Sequence, residues 1–236
     1  FMYNESKIQA LENISFNINN KESIGLIGVT GSGKTTLLRL ITRSFNIDSG
    51  NILIDDKNIS DFDIESLRKQ IGIVPQDSFL FSDSIINNIR FGKEKASINE
   101  VKQVCKIAGI HNEIIKFKDG YNTILGERGV NLSGGQKQRI CIARAIIKNP
   151  KILILDDCLS ALDTETEKKI IKSLKKYIIN TTTIISSHRL SSVQNLNEII
   201  ILKDGKIIQR GNHKKLVKEK GYYKEIFQKQ LTKKDD

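Results

Sequence analysis

This sequence predicts an α/β fold, with a mixed, mainly parallel sheet and a block of helices inserted into it. Three observations lead there. Apolar runs of strand length recur along the 236 residues and alternate with stretches whose apolar residues repeat at helical spacing. The run 151–155 is apolar after its first residue, as in a strand covered on both faces. A stretch rich in Lys, Asn and Ile, from about 82 to 149, has helical patterning and separates two strands. It is too long to be their crossover alone and reads as an inserted subdomain.

In chain order, Ile14, Phe16 and Ile18 alternate with polar residues, which predicts a half-buried strand. Ser23–Ile27 is a second strand and ends at a glycine-rich turn. Leu37, Leu38, Leu40 and Ile41 give a helix over 35–43. A strand over 51–54 meets a turn at Asp55-Asp56-Lys57, and Ile71–Val74 is a short strand closed by Pro75. After the insertion and the strand at 151–155 comes a helix over 164–177. Glu165 and Glu167 stand early in it and Lys172, Lys175 and Lys176 late, which complements its dipole. A buried strand follows at 183–185. Strands at 199–202 and 207–209 flank Asp204-Gly205, a hairpin turn pair, and the basic tail from Lys214 is helical by pattern.

Composition narrows the class. A charged fraction of 28% beside 39% hydrophobic residues excludes a disordered chain. No apolar run approaches the roughly 18–20 residues of a membrane helix. Cys105, Cys141 and Cys158 form no CxxC pair, so neither a zinc module nor a disulfide framework is expected, and a reducing compartment fits. The first residue is Phe1, which suggests a piece of something longer. The net charge of +11 asks for nucleic acid, an anionic membrane surface or a phosphate ligand, or else reflects a solvated Lys-rich surface. His111 and His213 lack neighbouring ligands in sequence and read as surface residues. Asp48 and Asp61 read as turn residues, and Cys158 as a small packing residue.

One segment carries explicit chemistry. Gly28, Val29, Thr30, Gly31, Ser32, Gly33, Lys34 and Thr35 fit GxxxxGK[ST] between a strand and a helix. Glycines let backbone N–H groups close around a phosphate, and the following helix adds the positive end of its dipole. Lys34 supplies a point charge to the β- and γ-phosphates and Thr35 a hydroxyl to Mg²⁺. With Thr36, this loop is the expected nucleotide cradle. Asp156 ends the apolar run 152–155 and is the partner carboxylate for the cation. No Asn-Lys-x-Asp guanine reader is present, which excludes a small GTPase.

Leu132, Ser133, Gly134, Gly135 and Gln136 precede a helical stretch bearing Arg139 and Arg144. Gln76 follows 71–74, Ser160-Ala161-Leu162-Asp163 follows Asp156, Ser187-His188-Arg189-Leu190 follows 183–185, and Tyr3 lies upstream of the glycine loop. In this order and spacing, the set resembles the ATPase domain of ABC transporters over nearly the whole chain. The matching parts are its signature, Q-loop, D-loop, switch histidine and adenine-stacking tyrosine. Phe79-Leu80-Phe81 after the Q-loop, Gly126-Glu127-Arg128-Gly129 before the signature, and Gly211-Asn212-His213 with Leu216 are similar to exporters of the multidrug and peptide type.

The resemblance implies a P-loop NTPase of ABC type: a mixed parallel-sheet core, an N-terminal antiparallel β subdomain and an inserted α-helical subdomain. Residues 1–80 and 151–236 would form the β subdomain and RecA-like core, and about 82–150 the helical subdomain. It implies ATP and Mg²⁺, with Thr35, Gln76 and Asp156 around the metal, and Lys34, Gln76, Asp157 and His188 in catalysis. Tyr3 and residues 28–36 would bind nucleotide, and Ser133, Gly134, Gly135 and Gln136 would complete the site of a second copy. It implies a transmembrane domain upstream, a place on the cytoplasmic face of a membrane, and no nucleic acid.

The chain departs from the family's pattern at Asp157, where most members carry Glu as general base. Asp keeps the charge with about 1.5 Å less reach. Misplacement by about 1 Å can cost around 10²-fold in rate, so slow hydrolysis with intact binding is expected. An Asp here resembles the slower subunit of a heterodimeric exporter, whereas the retained His188 speaks for a homodimer that manages with Asp. A DNA-repair or ribosome-associated ABC ATPase, and a binding-only regulatory domain, are the competing functions.

Overall fold

A computed structural model describes residues 1–232. Its elements are β1 (Met2–Tyr3), β2 (Ile8–Gln9), β3 (Ser23–Ile27), α1 (Lys34–Ile41), β4 (Leu53–Ile54), β5 (Lys57–Asn58), α2 (Ile64–Gln70) and β6 (Ile71–Val74). Next come α3 (Ile85–Arg90), α4 (Ile98–Ile107), α5 (His111–Ile114) and α6 (Gly134–Ile146). The chain then runs through β7 (Ile152–Asp156), α7 (Thr164–Ile178), β8 (Thr182–Ser186), β9 (Glu198–Lys203), β10 (Lys206–Gly211), α8 (His213–Leu216) and α9 (Tyr222–Thr232). Residues 233–236, the end of the tail expected to be helical, and the side chain of Lys176, one of the late lysines of α7, lie outside the described residues.

The six-stranded sheet has the order β10-β9-β3-β8-β7-β6. Its neighbours run parallel except at the β9–β10 hairpin. Every residue of β3 is buried, as are the last four of β7 and of β8. Both faces of these strands are covered, which is why their sequences are continuously apolar rather than alternating. Ile27, Val74, Leu153 and Leu155 join the core beneath α3–α7, whereas Ile24, Leu26, Ile154 and Ile184 face α1 and the N-terminal segment. The N-terminal antiparallel part consists of two small hairpins, β1–β2 and β4–β5. Asp55 and Asp56 turn the second one with φ of 49° and 62°, the left-handed pair that matches strand twist.

Two expectations are corrected. Residues 14–18 form no strand: Ile14, Phe16 and Ile18 pack half-buried on the core, but the segment joins no ladder. Periodicity reports which side chains are covered, and a ladder also needs a neighbouring backbone. His111 and His213 are not free surface residues. Each is half-buried, with Nδ1 sharing a hydrogen bond with a buried tyrosine hydroxyl, Tyr121 at 2.8 Å and Tyr223 at 2.7 Å. Asp48 has a structural task too, since its Oδ2 accepts the backbone N–H of Met2 at 2.6 Å.

Candidate nucleotide site

Sheet register brings the singled-out residues to one edge. Ser186 stands opposite Leu26 on one side and Asp156 on the other, so β3, β8 and β7 end together. Val74 pairs with Leu155, so Gln76 begins its loop beside Asp156. The glycine loop, Asp156, Asp157, His188 and Gln76 therefore leave the carboxyl ends of adjacent strands, where open α/β sheets bind ligands. Gln76 is exposed, and its side chain makes no hydrogen bond among the described residues.

The glycine loop is closed by packing. Gly33 sits at φ 102°, and a Cβ there would lie 2.7 Å from Leu11 Cδ2 and 2.8 Å from the Ala10 carbonyl. At Gly28 a Cβ would meet the Leu202 carbonyl at 2.3 Å. Neither position admits a side chain, as a loop wrapped around a phosphate requires. Thr30 and Gly31 are exposed at the tip, Ser32 and Thr36 are buried, and Thr35 is half-buried on the first turn of α1. Lys34 Nζ donates to the carbonyls of Gly28 at 2.7 Å and Val29 at 3.0 Å, and to Ser32 Oγ at 3.4 Å. Burial pushes the Lys34 ammonium below its ordinary value, against the opposing pull of Asp157 and Asp156.

Asp156 is buried, and its Oδ1 accepts the hydroxyl of Ser186 at 2.8 Å, which leaves Oδ2 without a hydrogen bond among the described residues. Asp157 has φ 44°, a left-handed conformation that Asp tolerates better than most residues. Its carboxylate meets His188, whose Nδ1 lies 3.0 and 3.1 Å from the two oxygens. Asp156 and the Thr35 hydroxyl are hard oxygen donors. Among the described residues no group of three or more His, Cys, Asp or Glu could hold a metal by itself. A hydroxyl with one carboxylate suits Mg²⁺ whose shell is completed by phosphates and water, so these residues fit that ion.

Residues 160–162 tie the site together. Ser160 Oγ donates to the Asp157 carbonyl at 2.8 Å. Arg189 donates to the carbonyls of Ser160 and Leu162, both at 3.0 Å, and to the Glu167 carboxylate at 2.6 Å. Glu167 is 1% exposed and also accepts the hydroxyls of Ser191 and Ser192. A Cβ on Gly135 would lie 2.9 Å from Leu162 Cδ2, so the start of α6 packs close on the same segment. Ser133 and Gln136 form a reciprocal capping box there, and the Gln136 amide donates to Glu113, which also binds Arg139. Burial raises the Glu113 pKa, but bonds from Arg139 and Gln136 more than reverse this and leave it below the ordinary value.

Tyr3 lies beside the loop, sharing a 2.9 Å hydrogen bond with Thr36 Oγ1 and packing edge-on against Phe1 and Phe45. Sequence reasoning gave no role to Arg189, Glu113 or Phe45 and read Glu167 only as a dipole partner. One signal could have found Glu167. It shares a helical stripe with Ile170, Leu174 and Ile178, all buried, and an acid on such a stripe needs a partner.

With this geometry in hand, the comparisons are specific. Residues 11–160 match the sequence profile described as ABC transporter. The chain is 51% identical over 231 residues to the multidrug resistance-like ATP-binding protein MdlA of Buchnera aphidicola subsp. Schizaphis graminum (strain Sg), covering 98% of this chain and 40% of that protein. It is 48% identical over 232 residues to ATP-binding cassette sub-family B member 6 of Xenopus tropicalis, covering 98% of this chain and 27% of that one. The structure of a bacterial Atm1-family ABC exporter with ATP bound superposes with TM-score 0.94 at 39% identity, over 97% of this chain and 40% of its own. The chain thus spans about two fifths or less of these relatives.

Proposed function

The chain belongs to the ABC transporter family, and from that premise we propose that it is the ATP-binding and hydrolysing domain that drives an exporter. The observation that carries this reading is the convergence of Lys34, Asp156, Asp157 and His188 at the ends of β3, β7 and β8. Lys34 exchanges its loop carbonyls for the β- and γ-phosphates, and the N-terminal end of α1 adds its dipole. Thr35 and Asp156 would hold Mg²⁺, with Gln76 reaching in from the neighbouring loop. When bound, the ion neutralises charge on the phosphates. Asp157 orients the attacking water and takes up its proton, and His188 fixes the Asp157 carboxylate. Tyr3 supplies the adenine platform.

Ser133 and the N-terminus of α6 bind the γ-phosphate held by a second nucleotide-binding domain, head to tail. The exposed aromatic cluster of Phe79 and Phe81, at the entry to the helical subdomain of about 82–150, and Phe91 within it faces the membrane domain. No described helix is long and apolar enough to cross a membrane. As an exporter's ATPase domain it works with a transmembrane domain at the cytoplasmic face. Asp157 favours a heterodimer in which this site is the slower one. The exporter-type relatives do not favour a DNA-repair or ribosome-associated role.

The test is ATP binding and turnover by the full-length protein. Lys34→Ala should abolish both, and unchanged binding would remove the reading.

A further inference from the structure

Beyond the motifs, one side chain far along the sequence grips the switch loop. Gln230 Nε2 donates to the His188 carbonyl at 2.9 Å, and Gln230 Oε1 accepts the Leu190 N–H at 3.0 Å. A glutamine amide that satisfies the C=O of one residue and the N–H of the residue two further on acts as a short piece of neighbouring strand. It fixes the backbone on both sides of Arg189.

The helix that carries Gln230 is itself anchored. Tyr223, on the first turn of α9, is fully buried, its hydroxyl bonded to His213 and its N–H donated to Gln209 Oε1 at 3.0 Å. Ile226 and Phe227 pack on the main core. Gln230 follows Tyr223 by seven residues, about two turns, and so returns to the same face of the helix. The dock at Tyr223 and the grip on the loop are one rigid arrangement.

The loop is also held through Arg189 on Glu167 and the 160–162 carbonyls, through the Ser191 and Ser192 hydroxyls on Glu167, through buried Leu190, and through His188 on Asp157. The imidazole is more than half exposed, so the backbone that carries it matters for its reach. We infer that Gln230 is a positioning residue for His188, and that the C-terminal helix thereby sets the alignment of the His188–Asp157 pair. This rests on the reading of that pair as the hydrolytic machinery.

The experiment measures kcat and KM for Mg-ATP in the full-length protein for the parent, Gln230→Leu, His188→Ala and the double variant. Gln230→Leu keeps the side chain's size and loses both bonds. It should lower kcat about tenfold while KM stays within about twofold. On a His188→Ala background it should add nothing, because a residue acting through His188 has nothing left to position. Parent-like kcat in Gln230→Leu, or a full further loss in the double variant, would overturn the inference. If Gln230→Leu folds poorly, Gln230→Glu decides: it keeps the acceptor for Leu190 and loses the donor to His188, so an intermediate kcat is expected and a parental one overturns it. Lys34→Ala separates the two claims. Parental turnover there refutes the ATPase reading, whereas an inactive Lys34→Ala beside a parental Gln230→Leu refutes only the positioning role.

Discussion

His188 Nδ1 lies 3.0 Å from Oδ1 and 3.1 Å from Oδ2 of Asp157, so a single ring nitrogen faces both oxygens of the short carboxylate. The pair is closed on itself. A glutamate on the same backbone extends its oxygens about 1.5 Å further and reaches past this contact. Asp157→Glu should therefore raise ATP turnover of this domain, by about tenfold, with little change in nucleotide affinity. Steady-state ATPase assays of the full-length protein check this, and an unchanged rate would show that carboxylate reach is not what limits the site.

Lys34 gives a pH dependence with a definite sign. Burial, opposed by Asp157 and Asp156, holds its pKa below the ordinary 10.5, and bound phosphates would raise it again. Binding at alkaline pH should therefore take up a proton. ATP affinity should be constant well below the depressed value and weaken as pH rises through it. Calorimetric titrations in buffers of different ionisation enthalpy read the uptake directly, and proton release on binding would reverse the argument.

Glu167 and Arg189 set a stability contrast. Glu167→Leu leaves Arg189 beside an apolar site with only the Ser160 and Leu162 carbonyls, and should destabilise the domain by about 3–5 kcal/mol. Adding Arg189→Met should recover much of that loss. Denaturant melts of the single and double variants measure both, and an additive double variant would show that the two side chains act independently.

Tyr3 separates its ring from its hydroxyl. Tyr3→Phe removes the bond to Thr36 and keeps the aromatic face, whereas Tyr3→Ala removes both. ATP binding should weaken by about 0.5–1.5 kcal/mol in Tyr3→Ala and by less in Tyr3→Phe. Equal affinities for all three proteins would reduce Tyr3 to a packing partner of Phe1 and Phe45.

The motif residues could be read from sequence because their chemistry is local. A loop that must wrap a phosphate needs its glycines within a few positions, and a strand covered on both faces must be apolar throughout. Strand ends then follow from register, which carried Asp156, Asp157 and His188 to one edge. The bonds that hold those residues were not legible. Arg189 reaches back to Ser160 and Leu162, Glu113 forward to Gln136 and Arg139, and Gln230 across 42 residues to His188. None of these distances in sequence follows a helical or strand period. The segment 14–18 failed for the converse reason, since its period was right and its backbone had no neighbour to pair with.

The three cysteines have a practical consequence. Cys105, Cys141 and Cys158 are all buried and free. Burial raises all three thiols, Cys105 to about 12, so almost no thiolate exists near neutral pH. In the folded domain an alkylating dye would find no ready nucleophile among them. A single cysteine placed on the surface, on α9 or at the exposed Val130, would then take the label alone, without first stripping the native sulfurs from the chain. The domain comes already prepared for distance measurements against the proposed second nucleotide-binding domain.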